Sequence, residues 1–373
     1  MPVASRRGRQ PSGPAACRKA RASEPEPKKK TGSSFAPASR ETASGPGRKG
    51  DFLTAPEGHP IFGWSLARHL ESTWDALDRP GRFVVREHGA GGGALAAGIL
   101  DGLRRAGSPL LEAIAYQPSD ASAERLEGLA ERLASAGLAS HVEPMTGRLE
   151  DGAILANELL DALPVHRVEG GAGGELFESF VDVDDAGLFS TIPGPPSTVA
   201  LAARLEDEHV DLAPRQQAEI CLALDGWLQA AARPLRRGSV LLIDYGYSAP
   251  ELYRPDRGST IRAYHRHRVH ADPFVAIGRQ DLTAHVDLTA VERAARAAGL
   301  QALGRTTQAA FLSELGAGEL LVALQSEPGI TLERYLEARS ALVRMLDPRA
   351  TGGFAVLAFG RRLSSGTKLR GLP

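Results

Sequence analysis

Phe83-Val84-Val85-Arg86-Glu87-His88-Gly89-Ala90-Gly91-Gly92-Gly93 is the stretch that decides the fold. A short apolar run ends in an acid, glycines follow at alternate positions 89, 91 and 93, and an Ala-rich helical pattern starts at once. A strand that turns through glycines into a helix lets a nucleotide-like ligand lie on bare backbone at the helix N-terminus. Gly89, Gly91 and Ala94 also satisfy G-x-G-x-x-[GA], the dinucleotide pattern, so the glycines alone leave the ligand open. Glu87 tilts the choice. A carboxylate two residues ahead of the first glycine is a poor neighbour for a pyrophosphate and a good one for the cationic amino acid part of S-adenosylmethionine (SAM).

Outward from this turn, strand-like and helix-like segments alternate. Strands are expected at 83–87, 112–116, 153–156, 240–243 and 354–359, with helices at 95–106, 123–136, 216–232 and 291–298 between them. Thr289 and Glu292, three residues apart, read as a capping box for the last of these helices. Such alternation predicts an α/β domain whose mostly parallel sheet carries helices on both faces. Residues 165–200 read as a hairpin or loop excursion and 246–285 as a long irregular insertion, so insertions of about 165–235 and 246–285 follow the third and fourth candidate strands.

The net charge of −1 hides an asymmetry. Residues 1–49 carry 12 Lys/Arg against 3 Glu; subtracting these from the chain totals of 44 and 45 leaves 32 basic and 42 acidic residues for 50–373. The first segment also holds seven prolines and little large apolar beyond Val3 and Phe35. A segment of this composition cannot offset its ordering entropy by burial and reads as a disordered basic tail. It could bind an acidic surface, be passive, or reflect a wrongly assigned start. No apolar run approaches the ~18 residues that span a bilayer, and Cys17 and Cys221 form no disulfide or zinc pattern. A cytoplasmic, bacterial protein is the expectation, with no firm nucleic-acid or membrane partner and a homodimer left open.

Further motifs fall where strands should end, the ligand edge of an open α/β sheet. These are Asn157-Glu158 with Asp161-Ala162-Leu163-Pro164-Val165, then Asp244-Tyr245-Gly246. Tyr253, Arg257-Gly258, Thr260, Arg262, Tyr264 and His267 follow, then Gln280-Asp281 with Thr283-Ala284-His285-Val286, and finally Gln308 with Phe311-Leu312. With Gly50-Asp51-Phe52, Thr54, Pro56-Glu57 and Phe62-Gly63 upstream, this ordered series resembles the MidA family of SAM-dependent methyltransferases. That resemblance covers residues 50–360. It implies a Rossmann-like class I methyltransferase domain over 50–373, with SAM as cofactor and a protein arginine as acceptor, as on a respiratory complex I subunit.

Roles follow from the chemistry. Gly89, Gly91 and Gly93 would let the cofactor approach the backbone, with Glu87 facing its amino acid part and Asn157 at the same edge. Where the family carries an acid for the ribose hydroxyls, this chain has Gln117, whose neutral amide would weaken binding by about 1–2 kcal/mol. An arginine acceptor is a planar cation and calls for a carboxylate. Glu158 and Asp161 are the candidates, although Asp161 could equally cap the turn before Pro164. His285 would shape the acceptor pocket. His265, His267, His270 and His285 crowd into 21 residues, yet no Cys or acid falls at a zinc spacing, so no metal is expected. Asp244 and Tyr245 could line the pocket or be structural. A methyltransferase-fold assembly factor without turnover and a nicotinamide oxidoreductase are the rival readings.

Overall fold

The computed structural model describes residues 34–35, 54–265, 268–364 and 366–373. The expected basic tail, the Gly50-Asp51-Phe52 block and His267 therefore fall outside the described residues, save for Ser34–Phe35. Among the described residues no helix is long and apolar enough to cross a membrane.

The chain builds a six-stranded sheet. Its strands are β1 (Phe83–His88), β2 (Ile114–Ser119), β3 (Leu149–Asn157), β8 (Leu235–Asp244), β12 (Gln301–Thr307) and β13 (Ala355–Arg361), in spatial order β12-β13-β8-β3-β1-β2. Pairs β2–β1, β1–β3 and β3–β8 are parallel, whereas β13 and β12 run antiparallel at one edge. Alternate side chains feed two cores, as period-two geometry requires of a sheet covered on both sides. Phe83, Val85, Leu155 and Ile243 point into the core with α2 (Ile61–Asp75) and α3 (Ala94–Ala106). Val84, Ile154 and Leu242 point into the opposite core with α6 (Ala223–Ala232) and α7 (Leu288–Ala297). Helices α2 and α3 approach so closely that a Cβ on Gly63 would lie 2.6 Å from the Gly98 backbone. Between β2 and β3 runs α4 (Ala123–Ser135), capped by the Ser122 hydroxyl.

Several sequence expectations shift. The second strand begins at Ile114, because Leu110–Ala113 forms a helical turn behind Pro109, and it extends to Ser119. The helix expected over 216–232 divides: Gln217–Ile220 is strand β7, and only Ala223–Ala232 is helical. Ala218 and Ile220 bury their side chains in a satellite core while β7 pairs with β4 (Val165–Gly170), and tertiary pairing overrides helical propensity. The excursion after β3 is a set of antiparallel strands, β4, β5 (Leu176–Val183) and β6 (Phe189–Gly194), followed by α5 (Ala200–Asp207). Because α6 packs Leu224 and Leu228 on the main sheet, the first insertion ends before it rather than at 235. The second insertion is less irregular than expected: β9 (Arg262–His265), β10 (Arg268–His270) and β11 (Asp281–Thr283) form a small sheet. Helix α7 is capped by Asp287, which accepts the Ala290 N–H at 3.0 Å, and not by Thr289, whose hydroxyl accepts the Ala249 N–H. Beyond β12 the chain adds α8 (Gln308–Glu314), α9 (Ala317–Leu324) and α10 (Leu332–Leu346).

Candidate active site

Strand order reverses between β1 and β3, and open α/β sheets bind ligands at the carboxyl ends of the strands at such a point. A cleft lies there, lined by Glu87, Gly89 through Gly92, Asp120, Arg125, Asn157, Glu158 and Asp281.

On one side the cleft wall is backbone. Gly89, Gly91 and Gly93 all adopt left-handed φ (74°, 52° and 77°), which favours glycine. Their duties differ. A Cβ on Gly91 would meet nothing within 4 Å and would stand in open space, whereas one on Gly93 would collide with Leu129 of α4 at 2.6 Å. Gly93 does not line the cleft; its expected cofactor role gives way to helix packing and to starting α3. Glu87 is almost wholly buried at the cleft, and the Tyr116 hydroxyl donates to it at 2.6 Å. Burial pushes its carboxyl up to about 7 despite that bond, and Asp120 adds to the rise. An ammonium group placed beside Glu87 would restore its charge and answer the burial penalty.

Gln117 stands away from the cofactor position expected of it. Its amide oxygen accepts from Arg86 at 2.6 and 3.1 Å, its amide nitrogen donates to Glu143 at 2.8 Å, and it does not line the cleft. Both ends of the amide are engaged away from the ligand. The acid at the end of β2 is instead Asp120, which lines the cleft and accepts the Gly91 N–H at 2.9 Å. The affinity loss expected from a neutral amide therefore has no basis in this arrangement.

On the opposite side the wall is a turn leaving β3. Asn157 and Glu158 both line the cleft, and the Asn157 amide donates to the Glu158 carboxyl at 3.2 Å. Glu158 sits at φ 50°, an uncommon conformation for a residue with a side chain. The turn is held there from β8. Its carboxylate, Asp244, is buried and gathers the N–H groups of Leu159, Leu160 and Asp161 on one oxygen at 3.1, 2.7 and 3.3 Å, while the Glu158 N–H donates to the Ile243 carbonyl. Asp244 is thus a positioning residue and leaves the lining to others. Burial pushes the Glu158 carboxyl up to about 8; nearby Asp161 adds to the rise, and hydrogen bonds from Asn157 and the Ala55 N–H oppose it.

Two residues expected at the chemistry are placed elsewhere. Asp161 is buried below the turn, outside the cleft lining, where its carboxyl meets the Tyr245 hydroxyl. His285 lies behind Tyr245, edge-on to that ring at 5.4 Å, and faces a separate small cavity. Burial lowers its ring to about 4, with Arg257 and Arg262 pushing the same way, so it stays neutral and packs the wall instead of shaping the acceptor pocket directly. Among the described residues no group of three His, Cys, Asp or Glu side chains could hold a metal ion.

The sequence also gave no role to three lining residues. Asp120 and Arg125 were hidden by the misplaced end of β2: a strand closing at 116 leaves them well beyond the edge. Asp281 reaches the cleft from β11, a long-range placement that no local pattern announces. Thr54, Pro56 and Glu57 add to the lining from a short helix, α1 (Ala55–Gly58), and its N-cap, and Ala94 and Leu95 from the start of α3.

Comparison with known proteins agrees with this geometry. Residues 65–306 match a family described as "Putative S-adenosyl-L-methionine-dependent methyltransferase". The chain is 30% identical over 310 residues to "Protein arginine methyltransferase NDUFAF7, mitochondrial" of Mus musculus, covering 76% of this chain and 68% of that protein. Its Homo sapiens counterpart is 28% identical over 356 residues, covering 86% and 76%. A Burkholderia thailandensis crystal structure with bound S-adenosyl-homocysteine (SAH) superposes with a TM-score of 0.77 at 34% identity, covering 89% of this chain and 86% of that one. Fold and cleft together define a class I SAM-dependent methyltransferase. Within that class, the chain belongs to the MidA family.

Proposed function

We propose that this enzyme methylates an arginine side chain of a protein acceptor, producing methylarginine and SAH. The observation that carries the reading is Glu158, a carboxyl fixed at the cleft edge across from the glycine turn. SAM supplies an electrophilic methyl group on sulfonium sulfur, and the protein's task is to align the acceptor nitrogen with it and exclude water. A guanidinium docks its planar fork against a carboxylate through paired hydrogen bonds. When that nitrogen gains a methyl group it must shed one proton. Burial raises the Glu158 carboxyl to about 8 in the free protein; a guanidinium set beside it favours the ionised form, and the carboxylate can then take that proton. Asp281 adds a second acid to the cleft lining, and Asn157 orients Glu158 through its amide. The names of the mitochondrial relatives as protein arginine methyltransferases support the same acceptor class.

The test is mass-spectrometric comparison of protein arginine methylation in cells with and without this protein, complex I subunits first. Loss of a methylarginine that returns with the wild-type chain, and not with Glu158→Gln, is expected. Unchanged arginine methylation alongside loss of a methyl group on another residue type would overturn the acceptor assignment.

A further inference from the structure

The second insertion carries a row of three side chains that runs from the protein surface to the cleft lining. Val269 on β10 pairs with Tyr264 on β9, and Tyr264 pairs in turn with Asp281 on β11. Residues directly opposite in antiparallel strands share a face, so the three stand side by side. Two strand spacings, about 10 Å, separate the ends of the row. Exposure falls along it: Val269 is 56% exposed, Tyr264 is half-buried, and Asp281 is 5% exposed in the cleft lining. This small sheet is pinned to the turn that carries Glu158, because the Ala284 N–H just beyond β11 donates to the Asp161 carbonyl at 2.9 Å.

Charge agrees with this placement. Burial raises the Tyr264 hydroxyl above its ordinary range; Asp161 and then Glu158 and Asp281 add to the rise, and Arg262 opposes it. The phenol thus lies within the field of the acids on the acceptor side. Arg262, a cation on the same face of β9, turns its guanidinium back to the carbonyls of Ser259 and Ile261, at 3.3 and 2.7 Å. Each member of the row suits a different part of an arginine side chain. Val269 suits the apolar stem, the Tyr264 ring the flat face of the guanidinium, and Asp281 its charge.

We infer, for the arginine acceptor proposed above, that Val269, Tyr264 and Asp281 line the inlet through which its side chain reaches Glu158, with the Tyr264 ring selecting a guanidinium over an ammonium. A guanidinium is planar, weakly hydrated and able to stack on the ring while its fork meets a carboxylate. A lysine ammonium is compact and strongly hydrated, and it gains less from both partners. Tyr264 is therefore a specificity-determining residue, and Val269 sets the approach at the mouth.

The test titrates the full-length, SAH-loaded protein with two end-blocked glycine pentapeptides, one with a central arginine and one with a central lysine. The wild type should bind the arginine peptide about fivefold more tightly. Tyr264→Leu should erase that preference and Tyr264→Phe should keep it, both with SAH affinity unchanged, since Tyr264 does not line the cofactor cleft. Val269→Lys sets a cation at the exposed mouth and should weaken the arginine peptide about threefold. That variant carries the test if Tyr264→Leu does not fold. A merely structural tyrosine would weaken both peptides together and leave their ratio alone, which would overturn the inlet while the acceptor reading stood. Loss of the preference in Tyr264→Phe, or arginine binding unmoved by Val269→Lys, would overturn it as well. A wild type that does not favour the arginine peptide would also overturn it, and the methylarginine comparison in cells then shows whether the acceptor reading falls too.

Discussion

On the cofactor side of the cleft, backbone does the holding: left-handed glycines, the start of α3, and an acid, Asp120, that fixes the turn by accepting from Gly91. On the acceptor side, side chains do it: Glu158, Asn157 and Asp281 converge from β3 and from an insertion some 120 residues further on. The first construction tolerates little, because a main-chain contact leaves no side chain to exchange. The second offers side chains that can be altered while the frame stays. The cofactor wall should therefore fail abruptly when changed, and the acceptor wall should fail selectively.

The sharpest way to break this contrast is Gly91→Val. A β-branched side chain at φ 52° is strained, and its Cβ would occupy the open space of the cleft. SAH binding by calorimetry should fall by at least ~100-fold, a loss of about 2.7 kcal/mol. Retained affinity would show that the cofactor does not lie on this glycine. Glu158→Gln comes next, with the opposite signature. SAH affinity should stay within about twofold, while methyl transfer to an arginine acceptor drops by about 10²–10⁴, the range for loss of a positioned proton acceptor. Loss of cofactor binding in this variant would dissolve the division between the two walls.

Asp120→Asn should weaken SAH binding by roughly tenfold, the effect of replacing a charge-assisted bond by a neutral one. Gln117→Leu should leave affinity unchanged, because its partners are Arg86 and Glu143, and should register only in stability. If the two variants behave the other way round, the ribose partner is Gln117 after all.

The smallest effect is in stability against pH. Burial raises Glu87 to about 7 and Glu158 and Glu208 to about 8, so the folded protein holds more protons than the unfolded chain between their ordinary range and those values. These groups make stability fall as pH rises through that window. His69, His88 and His285, lowered to about 4 by burial, act in the opposite sense below about 6.5 and offset them there. Above about 6.5 only the carboxyls remain. The melting temperature of the ligand-free protein should therefore decline from pH 6.5 to 8, and SAH should flatten that decline by setting its ammonium beside Glu87. A flat profile without ligand would mean that these acids are ionised in the free enzyme.

The two walls also differ in how far the sequence discloses them. The glycine turn is local: strand, acid, glycines and helix follow one another within 24 residues, and period-two and helical patterns suffice to place Glu87, Gly89 and Gly91. Asn157 and Glu158 are equally local, ending a strand whose apolar run is easy to see. Asp161 and His285 were misplaced for a different reason. A motif shows that residues travel together but not which way each side chain turns, and the clasp of Asp244 rotates Asp161 beneath the turn. Gln117 failed by a boundary: a strand end misjudged by three residues exchanges the acid that lines the cleft, Asp120, for an amide that pairs with Arg86. Asp281 was beyond reach, since the pairing of β11 with β9 that delivers it is a tertiary event.

The clasp has a bearing on redesign. Asp244 grips residues 159–161 through their main-chain N–H groups, so this anchorage does not run through the side chain at 158. The enzyme thus possesses a retooling socket: the acidic head at 158 can be exchanged while its mounting, anchored on the central strand, is left intact. A library at positions 157, 158 and 281 could then look for acceptors of other charge and shape without re-engineering the sheet or the cofactor wall.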